Sequence, residues 1–429
     1  MGFSNMPSKK VLELSMSRLE ESDGKVAAAA GELIRRLRTH GTEDLTRRVA
    51  RRAARKLSDM FDTSALDFPL LPQDVADSTK LRLAAACRDN IPGGPLSLAW
   101  LCTPPSPGSG GHTTLFRMVK GLEDRGHICT LLLYNRHGSD IARAELTVRR
   151  HWPWLRAHVA PVPDTISGFD ACVASSWETA HVLASRGADA PMHRFYFIQD
   201  YEPFFYPRGS LYSLAEDSYR FGFKNIALGK MVAETVLQSA GKPTSMVPFG
   251  CDGKTYELKN LDRRHGVVFY ARETADRRGT LLGKLALEEF HRRHPEQTIY
   301  VYGDPLTSWQ VPHRHCGRLT ALQLSQLYNK TLAGLALSFT NISLVAEEML
   351  SCGTIPVVND HAFARWDMSA PAVRWAPPTP GGIAEALCEA VESGWTAAET
   401  TRAASQARKD WLPAQASTAF IIENEVQTR

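Results

Sequence analysis

Residues 331–360 read TLAGLALSFTNISLVAEEMLSCGTIPVVND, and this run restricts the fold more than any other part of the chain. The apolar stretch 332–337 has the length and the turn-bounded setting of a buried strand. Small polar residues at 338–341 interrupt it, and 343–351 then carries Leu344, Glu347, Glu348 and Leu350 at helical spacing. Gly353 stands where a left-handed cap ends a helix, and 355–358 reads as the next strand. A strand thus delivers the chain to a helix N-terminus at Ser343 and Leu344, where free backbone N–H groups and the helix dipole favour a phosphate. Glu348, one to two turns inside that helix, could accept hydrogen bonds from ribose hydroxyls. The arrangement suits a nucleoside diphosphate; without a ligand, the same pattern is an ordinary βαβ unit.

The same grammar extends in both directions. From residue 97 onward, LSLAWLC reads as a strand, TPPSPGSGGHTT as a Gly/Pro-rich loop, LFRMVKGLEDRGH as a helix and HICTLLLYN as a second strand. FDACVASSW, HRFYFIQDYE and KNIALG continue the series, and a second series (HGVVFYAR, QTIYVYG, LAGLALSF, TIPVVND) begins near His265. Alternating strands and helices predict an α/β fold of two Rossmann-like domains with parallel, doubly wound sheets. The expected boundaries are a helical N-terminal extension at 1–92, a first domain at 93–246, a second at 247–396 and a helical tail at 397–429.

Composition excludes several classes. Hydrophobic residues are 43% and charged residues 22% of the 429, as in ordinary soluble proteins, and no apolar run approaches the roughly 20 residues of a membrane span. The first residues lack the apolar core of a signal peptide. The eight cysteines include no Cys-x-x-Cys pair and read as reduced thiols, so the expected compartment is the cytoplasm. Arginines crowd 35–55; such a run reads first as a solvated helix face and second as a peripheral contact with anionic lipid. No aromatic residue interleaves with it as a base-stacking surface needs, so nucleic acid is not an expected partner. Histidines and carboxylates show neither metal-ligand spacing nor an Asp-x-Asp pair, so no metal or other cofactor is expected.

The motifs resemble retaining GT-B glycosyltransferases of family 4. Glu348, Cys352, Gly353, Pro356 and Val357 match that family's donor-binding pattern, while Thr340 stands where the family has the first of two glutamates. Gly110 and Gly111 match its Gly-Gly loop, where backbone N–H groups approach a phosphate or sugar closely. In HGVVFYARETADRRG, Ala271 replaces a family glycine, Arg272 matches the arginine, and Arg277 or Arg278 stands for a lysine. The resemblance implies that these cations, with Arg318, neutralise a leaving diphosphate. Gly250 and Asp252 match an interdomain signature and read as structural.

The segment RFYFIQDYEPFFYPRGSLYSLAEDSY (194–219) resembles the WsaF-type branch that assembles rhamnose polymers. That branch implies dTDP-L-rhamnose as donor and a growing glycan, free or lipid-linked, as acceptor. Asp200 is the expected catalytic base, with Glu202 as its competitor. Arg272 is assigned to both catalysis and donor binding. GDP-mannose or UDP-hexose donors, or a non-catalytic sugar-nucleotide-binding scaffold, are the rival readings.

Overall fold

The computed structural model describes residues 68–86, 94–306, 309–342, 344–368, 370–407 and 409–427. The chain divides into two compact units, Met1–Pro69 and Leu70–Arg429. Of the expected helical extension only 68–86 is described, and it holds one 3-10 turn, Pro72–Asp74, and no α-helix; the rest of it, the arginine run and Ser343 lie outside the described residues.

Within Leu70–Arg429 the first sheet contains β1 (Ser97–Cys102), β2 (Ile128–Leu133), β3 (His158–Pro161), β4 (Ala171–Ala174), β5 (His193–Ile198), β6 (Lys224–Leu228) and β7 (Ser245–Val247). Its order is β3-β2-β1-β4-β5-β6-β7, with every pairing parallel. A parallel sheet is covered on both faces, which is why β1 and β4 are nearly continuous apolar runs with no alternation. Trp100 meets Phe197 edge-on at 6.1 Å, and Phe116 of helix α1 (Gly110–Asp124) meets Trp152 at 5.0 Å.

The second sheet contains β8 (Val267–Ala271), β9 (Ile299–Gly303), β10 (Arg314–His315), β11 (Ala333–Leu335), β12 (Ile355–Asn359) and β13 (Arg374–Ala376), in the order β10-β9-β8-β11-β12-β13, again parallel. Successive residues serve opposite faces. Val267 and Phe269 pack with Phe290 and Leu387, whereas Val268 packs with Tyr328 and Met349.

The last helix, Leu412–Gln427, lies against the first sheet's core through Ala414, Ala419, Ile422 and Val426. Glu423 holds it there, accepting both Arg125 nitrogens at 2.6 Å and facing His127 Nε2 at 2.8 Å. A Cβ at Gly121 would stand 2.8 Å from Gln415 Cβ, so the close approach of this helix to α1 requires the missing side chain.

Strand order reverses between β1 and β4 in one sheet and between β8 and β11 in the other. Open parallel sheets bind ligands outside the carboxyl ends of their strands at such reversals. The loops leaving these four strands and β5 therefore define where a site can form.

Candidate functional site

β5 ends at Ile198, and Gln199 and Asp200 lead into one 3-10 turn, Glu202–Phe205. Asp200 is 6% exposed and touches both halves of the molecule. Its Oδ1 accepts the N–H of Tyr201 at 2.9 Å and that of Asn341 at 3.3 Å; its Oδ2 accepts the Thr340 hydroxyl at 2.8 Å. Asn341 also donates its Nδ2 to the Gln199 carbonyl at 2.9 Å. Residues 338–341, just beyond β11, thus grip the end of β5. Burial raises the Asp200 pKa, and Arg278, Thr340 and Arg277 pull it back down.

Glu202, two residues on, is committed elsewhere. It accepts the backbone N–H of Trp177, at the start of helix α2 (Trp177–Arg186), and the Tyr196 hydroxyl at 3.0 Å, while its own N–H donates to Tyr219. Burial and the neighbouring Glu178 push its pKa well up. Glu202 faces the interior of the first domain; Asp200 faces the second.

The arginines divide into two groups. Arg277 Nε lies 3.9 Å from Asp200 Oδ2, and its guanidinium sits 4.0 Å from the centre of the Phe205 ring. Arg278 donates to Ser338 Oγ at 2.9 Å. Both belong to a 3-10 turn, Asp276–Arg278, that folds them toward the seam. Arg272 and Arg318 stay on the rim. Arg272 reaches the Tyr270 hydroxyl at 3.4 Å, which with Asp304 raises its pKa; Arg318 is 86% exposed and 4.0 Å from the same Asp304.

Gly110 and Gly111 correct the sequence reading in one respect. They are not loop but the first turn of α1, because Ser109 caps the helix by accepting the His112 N–H at 3.3 Å. Their backbone N–H groups are therefore the unpaired donors of a helix start. No atom within 4 Å would meet a Cβ at Gly110, and the nearest to one at Gly111 is Gln199 Oε1 at 3.9 Å, so this helix end opens beside Gln199, the residue before Asp200.

Leu344 begins the short helix Leu344–Ser351, and Gly353 follows it at φ +81°, with the Thr354 N–H returning to Met349 O, as a left-handed cap requires. Burial lifts the Glu348 pKa to about 7, against the pull of Arg117. Arg117 in turn pairs with Asp252 at 3.2 Å and covers the Trp411 ring at 5.1 Å. A cavity of about 460 Å³ opens at this pair between Trp154 and Trp411; its lining includes neither Asp200 nor Arg277.

The structure therefore brings Asp200 and Arg277 together, sets Gly111 against the neighbouring Gln199, and leaves Arg272 with Arg318 on the rim and Glu348 beside Arg117. Asn341 and Arg117 were not singled out in the sequence; Thr340 was noted only as a departure from a family glutamate, and Arg278 as the alternative to Arg277. Arg117 had a signal, lying six residues along α1 from Gly111; Asn341 had only its place in the polar break after β11.

Residues 163–231 match the WsaF N-terminal domain family and 265–388 the WsaF C-terminal domain family. The O-antigen biosynthesis protein RfbC of Myxococcus xanthus is 30% identical over 264 residues, 58% of this chain; those residues span about a fifth of that relative (20%). Among solved structures, sucrose-phosphate synthase from Thermosynechococcus elongatus superposes with TM-score 0.59 at 13% identity, covering 77% of this chain and 99% of its own. Anabaena HepE, solved in complex with UDP and glucose, gives 0.58 at 15% identity, covering 78% and 100%. The fold is GT-B, and the resemblance read in the sequence to the WsaF-type branch is shown by the two domain matches.

Proposed function

We infer, from a chain that carries matches to both WsaF domains on a GT-B fold, that it is a glycosyltransferase acting in polysaccharide assembly, and that it moves L-rhamnose from dTDP-β-L-rhamnose with retention of configuration. The observation that carries this reading is the seam itself: a buried carboxylate, two inward arginines and an open helix N-terminus meet where both strand orders reverse. A diphosphate would take the N–H groups of Gly110 and Gly111 and the charge of Arg277, with Arg272 and Arg318 as rim cations. An acceptor hydroxyl would approach Asp200, which removes its proton as the glycosidic bond forms on the face that the leaving diphosphate vacates. RfbC, named for O-antigen biosynthesis, supports a cell-surface glycan acceptor. No described helix is long and apolar enough to cross a membrane; a lipid-linked acceptor would be met at the membrane surface.

The UDP in HepE favours a second reading, a UDP-hexose donor. A thermal-shift panel of dTDP, UDP and GDP separates the two. The rhamnose reading expects dTDP to raise the melting temperature most. Stabilisation by UDP alone moves the donor to a UDP-hexose, and no response to any of the three removes the nucleotide-sugar reading.

A further inference from the structure

Buried polar atoms in folded proteins nearly always have a hydrogen-bond partner, and each exception calls for a reason. Two of the exceptions here belong to residues that meet the same carboxylate, Asn341 through its backbone N–H and Arg277 through its side chain. Asn341 Oδ1 and Arg277 Nε are both buried without a partner. Asn341 is 8% exposed. Its amide cannot be turned round to remove the problem. Nδ2 must face the Gln199 carbonyl, 2.9 Å away, since a carbonyl accepts only from a donor, and this leaves Oδ1 as an acceptor with nothing to accept. Arg277 Nε is a donor whose nearest acidic oxygen, Asp200 Oδ2 at 3.9 Å, is beyond hydrogen-bond reach.

One orphan is therefore an acceptor, the other a donor, and Asp200 links them: the Asn341 N–H bonds its Oδ1 while Arg277 faces its Oδ2. A hydroxyl group is the chemical species that satisfies both, since it donates one hydrogen and accepts another. We propose that Asn341 and Arg277 form a hydroxyl-recognition subsite for a neutral sugar ring, in which one ring hydroxyl donates to Asn341 Oδ1 and accepts from Arg277 Nε. Phe205, already stacked on the Arg277 guanidinium, supplies an apolar surface beside it. Both atoms lie sealed at the seam between the two sheets, so the hydroxyl enters as that seam parts. A sugar carboxylate is disfavoured there by Asp200. This subsite rests on the nucleotide-sugar reading and deepens it, assigning to residues 277 and 341 the discrimination between a nucleotide and its sugar-bearing form.

The test is calorimetric titration of the full chain with dTDP and dTDP-L-rhamnose, UDP and UDP-glucose, and GDP and GDP-mannose. Wild type is expected to bind one sugar-bearing form more tightly than its free nucleotide. Asn341→Ala should shrink that gap by about ten-fold, the effect of one buried hydrogen bond, while leaving free-nucleotide affinity within about two-fold. Arg277→Lys keeps the charge beside Asp200 but removes Nε, and should shrink the same gap; it carries the test should Asn341→Ala fail to fold. A gap unchanged in the folded variants overturns the subsite and leaves water as the occupant. So does equal weakening of both ligand forms, which makes Asn341 merely a tie to Gln199. A wild type that binds nucleotide but gains nothing from any sugar also overturns the subsite while the nucleotide reading stands. Binding of no nucleotide at all removes that reading and the subsite with it.

Discussion

Asp200 and Glu202 lie two residues apart, both 6% exposed, yet they do opposite work. Glu202 is held within its own domain by Trp177 and Tyr196. Asp200 draws two of its partners, Thr340 and Asn341, from the other sheet's loop. Burial raises both pKa values; at Asp200 the charges of Arg278 and Arg277 oppose the rise, whereas at Glu202 the neighbouring Glu178 adds to it. A raised pKa is therefore common to both carboxylates, and what separates them is the source of their partners.

The largest expected effect tests the Asp200 side of this contrast. Asp200→Asn keeps an acceptor for the Tyr201 and Asn341 N–H groups but loses basicity. Transfer should fall about 10²- to 10⁴-fold, the range for acid–base catalysis, with little change in melting temperature. Near-normal turnover would take proton removal from Asp200 and assign it to the leaving phosphate.

Glu202→Ala should show the reverse. It leaves the Trp177 N–H and the Tyr196 hydroxyl buried without an acceptor, at roughly 1–3 kcal/mol for each unsatisfied group, while the folded fraction keeps its rate. Denaturant unfolding and specific activity together decide the matter. An intact stability curve with lost activity would exchange the two assignments.

The architecture was legible because a buried parallel sheet writes itself as apolar runs separated by helical spacing. Both series of strands appear in the sequence for that reason. The start of α1 was not, because glycine is a poor helix former and Ser109 outweighs it by capping. Asp200 stood out through its aromatic setting, whereas its bond to Thr340 joins positions 140 residues apart, and no local spacing encodes such a pair. Arg272 and Arg277 looked alike in sequence; a 3-10 turn that contains Arg277 folds it inward, while Arg272, ahead of that turn, stays on the rim.

Glu348 extends the contrast to a third carboxylate, one with Arg117 as its main opposing cation and a pKa lifted to about 7. The sign follows from the folded value lying above the ordinary 4.5: the native state holds this proton more tightly than the unfolded chain does. Stability from this group is thus fully present below about pH 4.5 and is lost as pH rises through about 7. Glu348→Gln, which mimics the protonated form, should flatten the melting-temperature slope between these values. If the carboxylate also receives ribose hydroxyls, the variant should weaken nucleotide binding by roughly 1–3 kcal/mol. An unchanged slope would mean that Arg117 holds the group ionised throughout.

The smallest expected change in stability belongs to the rim. Arg318 is 86% exposed and stands 4.0 Å from Asp304, so removing it leaves no buried group unpaired. Exposed ion pairs of this kind contribute about 0–1 kcal/mol, and Arg318→Ala should melt almost as wild type does. Its effect on turnover is a separate question, since charge that develops on a leaving diphosphate is felt only in the transition state. If Arg318 serves there, kcat falls while the melting curve stays in place, and raised salt narrows the difference by screening the rim. Arg277→Ala should behave otherwise. It strips the cation from Phe205 and Asp200, so stability and turnover should move together. Should Arg318→Ala leave kcat untouched, the diphosphate is served by the inward arginines alone, and the division between rim and seam becomes a division between solubility and chemistry.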